Sequence, residues 1–196
     1  TKSVMEIGCG VGVNAMMLAN KTGMKVLGTD LCVPFIESAR KQNEYSNLRF
    51  EILDFNKAEE FKGEEFDYIV GNGILHHLYH HLDDALINMR KLLKLNGKII
   101  FMEPNIYNPY VYFIFSYPFL RKLTHLEPDE MAFSKKFISD KLTKTGYKNI
   151  NVDYKDFLLP GIPEFLISPS IAIGSVLEKV PRVNKVSQSI FISAEK

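Results

Sequence analysis

The chain has 196 residues, with 24 Lys+Arg against 23 Asp+Glu and 46% hydrophobic residues. These values suit one globular domain spanning 1–196 and exclude a chain dominated by disorder. The near-neutral charge disfavours a nucleic-acid partner, which calls for a cationic surplus. Two cysteines, Cys9 and Cys32, make no disulfide framework. With no basic-then-apolar leader at the start, a cytoplasmic setting is expected.

Val4 to Ile7 reads as a buried strand running into Gly8-Cys9-Gly10-Val11-Gly12. A helix is predicted over 13–21, with Gly23 as its left-handed stop. Lys25 to Thr29 is a second strand ending at Asp30, and Pro34 sits in the first turn of a helix predicted to reach Tyr45. Leu48 to Leu53 and Phe66 to Val70 are strands three and four. Asp83 is expected to cap a helix carrying Leu86, Met89, Leu92 and Leu93, stopped at Asn96-Gly97. Lys98 to Met102 is strand five. Strands alternating with helices, apolar on both faces, predict a doubly wound α/β sheet with helices on both sides. Beyond Glu103 the rhythm breaks. Residues 104–133 and 158–186 read as irregular apolar inserts, flanking a helix over 134–146 and a sixth strand. Within the second insert, Ser168-Pro169 predicts a helix start. Gln188 to Ala194 is the last strand, expected to run antiparallel.

The glycine turn carries the strongest chemical signal. Glycines where a strand turns into a helix let backbone N–H groups meet a ligand closely. A dinucleotide fingerprint would need glycine at position 13, which is Val13. The E-x-G-x-G-x-G spacing of Glu6, Gly8, Gly10 and Gly12 instead resembles motif I of the class I S-adenosylmethionine (SAM)-dependent methyltransferases. The Leu75-His76-His77 run and the Arg90 to Gly97 stretch resemble two further patterns of that family, with Lys98 where a second glycine is usual. The resemblance implies a Rossmann-like sheet and SAM as cofactor, released as S-adenosylhomocysteine. It also implies cofactor contacts from Glu6, Gly8, Cys9, Gly10, Gly12, Asp30, Leu31, Asp54, Phe55, Asn72, Gly73 and His77. Asp30 would accept the ribose hydroxyls, Asp54 the adenine amine, and the Phe55 N–H would meet the ring. Cys9 and Cys32 read as small packing residues.

The sulfonium methyl is already activated, so alignment can supply most of the catalysis and a base is needed only for some acceptors. Candidates for catalysis are His77, Glu103, Tyr107 and His125, with His76 also weighed as a base. His76, His77, His80 and His81 raise a metal reading through their spacing, but the sequence offers no convincing third ligand and no metal is expected. Gly71-Asn72-Gly73-Ile74 stands where base-amine methyltransferases carry Asn/Asp-Pro-Pro-aromatic, which disfavours DNA as substrate. Asn108-Pro109-Tyr110 is similar but follows strand five.

Seven of the 23 aromatic residues fall between Tyr107 and Phe119. Both inserts leave the cofactor edge of the expected sheet, so they are read as lid-like, enclosing a small hydrophobic or aromatic acceptor. A peripheral membrane contact through 106–123 is a second reading of the same aromatics. The expected function is thus small-molecule methylation. Its competitors are a SAM-binding pseudoenzyme or regulatory subunit, an RNA methyltransferase and, more remotely, a nicotinamide-dependent oxidoreductase.

Overall fold

The computed structural model describes residues 1–54, 63–124, 126–127, 129–158 and 161–196. Its strands are β1 (Ser3–Ile7), β2 (Lys25–Asp30), β3 (Leu48–Ile52), β4 (Phe66–Asn72), β5 (Leu93–Pro104), β6 (Lys148–Lys155) and β7 (Ser189–Glu195). They form one sheet in the order β3-β2-β1-β4-β5-β7-β6. The pairs from β3 through β5 are parallel, and β7 enters antiparallel between β5 and β6. The helices are α1 (Val13–Thr22), α2 (Val33–Gln42), α3 (Leu82–Leu92), α4 (Pro109–Ser116), α5 (Pro118–Leu123), α6 (Lys135–Lys144) and α7 (Glu164–Leu177). A short 3-10 helix over Leu75–His81 precedes α3. No helix among the described residues is long and apolar enough to cross a membrane.

The period-two alternation of a strand explains why both faces of this sheet are covered. Val4 and Val26 face one way, joining Ala15, Ala19, Ile36 and Ala39 of α1 and α2 in one core. Their neighbours Met5 and Leu27 face the other way, joining Leu82, Leu86 and Met89 of α3 with Ile138 and Leu142 of α6. Small alanines on α1 and α2 let those helices lie close to the strands. The larger side chains of α3 fill a deeper space, and the Tyr147 hydroxyl closes it by donating to the Leu86 carbonyl at 3.0 Å.

Several elements differ from the sequence-based expectation. Asp83 lies in the first turn of α3 and caps nothing. Its carboxylate instead meets Lys141 at 2.7 Å and Lys144 at 2.6 Å on α6, and these ammonium groups hold it below the usual carboxylate range. The helix after Pro34 stops at Gln42, because Asn43 is extended and its side chain bonds the Tyr45 N–H and the Leu48 carbonyl. Ser168-Pro169 does not start a helix. α7 begins at Glu164, where an acid in the first turn favours the dipole, and Pro169 sits inside it. The first insert is partly regular. Asn108 accepts the Val111 N–H at 3.1 Å and Pro109 opens α4, so Asn108-Pro109 is a cap and first turn.

The two inserts are tied together at their roots. Asn105 donates to the carbonyls of Lys185 and Ser187 at 2.9 and 2.8 Å, and Asn108 to that of Val186 at 2.8 Å. The first insert returns to β5 through Phe133 N–H to the Pro104 carbonyl, and Met131 N–H reaches the His76 carbonyl at 3.3 Å. Its end is thereby pinned beside the loop that follows β4.

Candidate active site

At the carboxyl end of β1 the chain turns on left-handed glycines. Gly12 has φ 86°, and a Cβ there would stand 2.5 Å from the Phe50 ring, so the tight fit of β3 against the turn excludes any side chain. Gly10 has φ 54° with open space where its Cβ would stand, so a ligand can approach its Cα closely. The Gly10 N–H donates to Asp30 Oδ2 at 2.8 Å, and the Cys32 N–H to Oδ1 at 2.9 Å. Asp30 therefore locks the glycine turn to the end of β2, and each oxygen keeps a lone pair for a further donor.

A cleft of about 100 Å³ opens over this turn, lined by Gly8, Asp30, Leu31, Leu53, Ile74 and Leu78 among others. It has apolar walls and one charged rim. Beneath the turn Glu6 is 2% exposed, and its Oε2 has no partner among the described residues. Burial pushes its carboxyl up to about 7, against hydrogen bonds from Asn14 and the Ala15 N–H that lower it. α1 opens at Gly12 with no side-chain cap, so its first N–H groups face the same turn.

The other half of the site follows β4. The buried Glu103 carboxylate, at the end of β5, accepts the N–H groups of Ile74 at 3.0 Å, Leu75 at 2.7 Å and His76 at 3.3 Å. It also bonds His76 Nδ1 at 2.9 Å. With Nδ1–H donated to Glu103, His76 keeps Nε2 as a basic nitrogen. Glu130, brought in by the end of the first insert, lies 2.8 Å from His77 Nδ1 and 4.0 Å from His76 Nε2. Desolvation and the neighbouring His76 depress the His77 imidazole below its ordinary value, against the pull of Glu130. The ligand atoms of His76, His77 and Glu130 all lie within 4.8 Å of one another. Glu130 is thus the third ligand-type group that the histidine spacing alone did not offer, and its bond to His77 Nδ1 draws it into the grouping.

A second cavity of about 240 Å³ lies against this pair, beyond the Asn72-Gly73 turn. Met102, Glu103, Tyr110, Val111 and Phe115 are among its walls, and the Phe115 ring meets that of His76 edge-on at 6.0 Å.

Residues 5–99 match a family model described as "Methyltransferase domain". This match spans just under half of the chain and likens residues 5–99 to methyltransferase domains. It is 32% identical over 114 residues to a hybrid PKS-NRPS synthetase, thnA, of Trichoderma harzianum, covering 54% of this chain and 3% of that protein. It is 31% identical over 105 residues to the S-adenosyl-L-methionine-dependent Diels-Alderase iccD of Talaromyces variabilis, covering 51% of this chain and 35% of that one. The curated relatives it matches are therefore much longer than this chain. Its fold superposes on a SAM-dependent methyltransferase from Archaeoglobus fulgidus with a TM-score of 0.69 and 17% identity, covering 100% of this chain and 86% of that one.

The methyltransferase family's cofactor is SAM, and the residues present fit it. An open glycine backbone, an uncapped helix start, an acid at the end of β2 and a buried carboxylate with one unpartnered oxygen among the described residues suit a ligand with hydroxyls and positive charge. Of the residues singled out in the sequence, Gly8, Asp30 and Leu31 line the cleft, Gly10 is tied to it through Asp30, and Gly12 lies against Phe50 rather than on its wall. Burial pushes the Cys9 thiol up to about 12, in keeping with a packing role. Asp54 follows Leu53, whose N–H bonds the Asp30 carbonyl at 3.1 Å, so it stands at the same edge. Phe55 and His125 lie outside the described residues.

Asn72 and Gly73 line the second cavity rather than the cleft over the glycines, since Gly73 N–H ties this turn to the Met102 carbonyl of β5 at 2.8 Å. Glu103 is in the site, but its oxygens are committed to Ile74, Leu75 and His76, so it positions His76. Tyr107 is 54% exposed and lines neither cavity. Glu130 went unrecognised in the sequence, where it is one acid in a loop. Its proximity to His77 is created by the return of the insert to β5.

Proposed function

We propose that this domain transfers a methyl group from SAM to a small, predominantly apolar acceptor held in the aromatic-walled cavity beyond Asn72-Gly73. One observation carries this reading: the loop after β4, which holds the buried His76–Glu103 pair, borders both a cleft suited to SAM, through Ile74 and Leu78, and a second, aromatic cavity, through Asn72 and Gly73. When bound, SAM supplies an electrophilic methyl on a sulfonium. The chain's own residues do the rest. Asp30 and the glycine turn fix the cofactor's position, and the apolar walls exclude water from the line of transfer. Glu103 holds His76 with Nε2 free to take the acceptor's proton, and the carboxylate stabilises the imidazolium that results. The two inserts act as walls of the acceptor side, where Val111 and Phe115 are already buried against Ala132.

Incubation with methyl-labelled SAM and a fractionated metabolite extract is expected to place label in an organic-extractable product, and His76→Ala is expected to reduce it by about 10²–10⁴-fold. Label recovered in RNA would reject the small-molecule reading. Similarity to iccD favours a second reading, a SAM-binding protein that transfers no methyl. SAM binding without any labelled product is the outcome that selects it.

Glu6 makes the affinity for SAM depend on pH. Its carboxyl is raised to about 7, so near neutrality half of it is protonated in the free protein. A cationic ligand favours the carboxylate, and binding at lower pH must expel that proton. Affinity is expected to rise with pH up to about 8 and then level, with a slope of at most about tenfold per pH unit below 7. Glu6→Gln should flatten the profile in calorimetric titrations from pH 5.5 to 8.5. The same raised value helps the empty fold most below about pH 4.5, and that contribution is lost as pH climbs through 7. A wild-type profile without slope would remove Glu6 from the cofactor site.

A further inference from the structure

His76 and His77 are neighbours in the chain, and consecutive residues of a helix do not ordinarily face each other. In the 3-10 helix over Leu75–His81 their rings nevertheless lie with centroids 4.2 Å apart. Two other elements hold them. Glu103 of β5 fixes His76 through Nδ1 at 2.9 Å. Glu130, returned by the first insert, meets His77 Nδ1 at 2.8 Å and stands 4.0 Å from His76 Nε2. The bond from the Met131 N–H to the His76 carbonyl keeps Glu130 against the pair.

The charges of this grouping call for a cation. Glu103 is 1% exposed and Glu130 4%. Buried carboxylates are costly unless positive charge stands close by. Among the described residues the ion-pair partners of both are these two imidazoles, which repel each other when both are cationic. A divalent ion supplies the charge without that repulsion.

The donor set and its spacing select the ion. Two imidazole nitrogens and a carboxylate oxygen suit zinc and its first-row neighbours rather than Mg²⁺ or Ca²⁺, which take oxygen ligands. Zinc bonds of about 2.0–2.1 Å in a tetrahedron put ligand atoms about 3.3 Å apart. The two distances from Glu130 bracket that value, and the ligand atoms of the three residues all lie within 4.8 Å of one another. The Glu103–His76 bond is the outer support that metal-binding histidines generally carry, a carboxylate on the nitrogen away from the ion. The His77 side chain is 45% exposed, which gives the ion a way in.

We propose that His76 Nε2, His77 Nδ1 and a Glu130 carboxylate oxygen form a site for a zinc-class divalent ion, with Glu103 as its outer support and a fourth position left for water. The site does not depend on the methyl-transfer reading. It bears on that reading, because the Nε2 lone pair that zinc takes is the one proposed to accept the acceptor's proton. A filled site cannot act as that base.

Titration of chelator-treated protein with Zn²⁺, in competition with a chromophoric chelator, tests this. Wild type is expected to take up a single equivalent, and Co²⁺ in its place to give the visible absorption of a low-coordinate site. His77→Gln and Glu130→Gln should each weaken zinc binding by more than about 100-fold, and Glu103→Gln by about 10–100-fold. His80→Asn alters an exposed imidazole that faces Asp129 outside the grouping, and should leave the affinity within twofold. No uptake by wild type, an affinity unchanged in both His77→Gln and Glu130→Gln, a loss confined to His80→Asn, or displacement of zinc by equimolar Mg²⁺ overturns the proposal. Urea unfolding shows that each variant is folded. Binding of S-adenosylhomocysteine to wild type is measured apart, so its absence would count against the cofactor reading alone.

Discussion

Glu103→Ala is expected to cost about 3–5 kcal/mol of folding stability and to abolish detectable methyl transfer. One buried carboxylate satisfies three consecutive backbone N–H groups and the His76 imidazole. Each donor stranded by its removal carries a penalty of about 1–3 kcal/mol, and the sum is reduced by relaxation and by water entering the gap. Set against a typical net stability of about 5–15 kcal/mol, this is a large fraction. Glu103→Gln separates positioning from folding. The amide keeps one acceptor oxygen but presents an NH₂ group where His76 donates, so the imidazole must turn or change tautomer. For this variant kcat is expected to fall about 10²–10⁴-fold with KM for SAM nearly unchanged, and urea unfolding to show a smaller loss of about 1–3 kcal/mol. Wild-type turnover in the Gln variant would remove Glu103 as the group that orients the base.

Asp30→Ala is expected to weaken SAM binding by at least tenfold. Two effects act together. The carboxylate is the only charged group on the described wall of the glycine cleft, and charge-assisted hydrogen bonds from ribose hydroxyls to it are each worth about 1.5–3 kcal/mol. It also accepts the Gly10 and Cys32 N–H groups, so its loss loosens the turn that faces the cofactor. Asp30→Asn keeps one carbonyl oxygen for the backbone and forfeits the charge. It should show an intermediate loss of affinity, with one of the two backbone hydrogen bonds retained. Calorimetry with SAM and S-adenosylhomocysteine measures both variants, and an Asp30→Ala affinity equal to wild type would rule out the ribose assignment.

How far these residues were legible depends on the distance over which their roles are set. The glycine turn and Asp30 could be read from residues 4–30 because a strand, a turn and a helix with their glycines form one local unit, and the parallel neighbour β2 must end beside it. Glu103 was visible as the acid closing strand five, but its role was not. Whether a strand-end carboxylate meets substrate or backbone depends on how the loop after β4 crosses it. Asp83 shows the same limit. A helix-start acid is an ordinary cap by sequence, and only the lysines of α6 across the interface turn it into an ion pair. The aromatic run after β5 looked irregular because its apolar residues are too dense to show a period. Its helices became evident from which side chains are buried, Val111 and Phe115 at i and i+4.

The sequence by itself determined the doubly wound sheet and the turn where the acid and glycines proposed for the cofactor come together, because strand periodicity and turn chemistry are local properties. Only the tertiary structure decided the acceptor side. His76 from the loop after β4, Glu103 from β5 and Glu130 from the first insert meet there. No spacing rule links them, since their proximity arises from sheet order and the return of the inserts. The chemistry of that side is set by which polar groups the packing satisfies and which it leaves open.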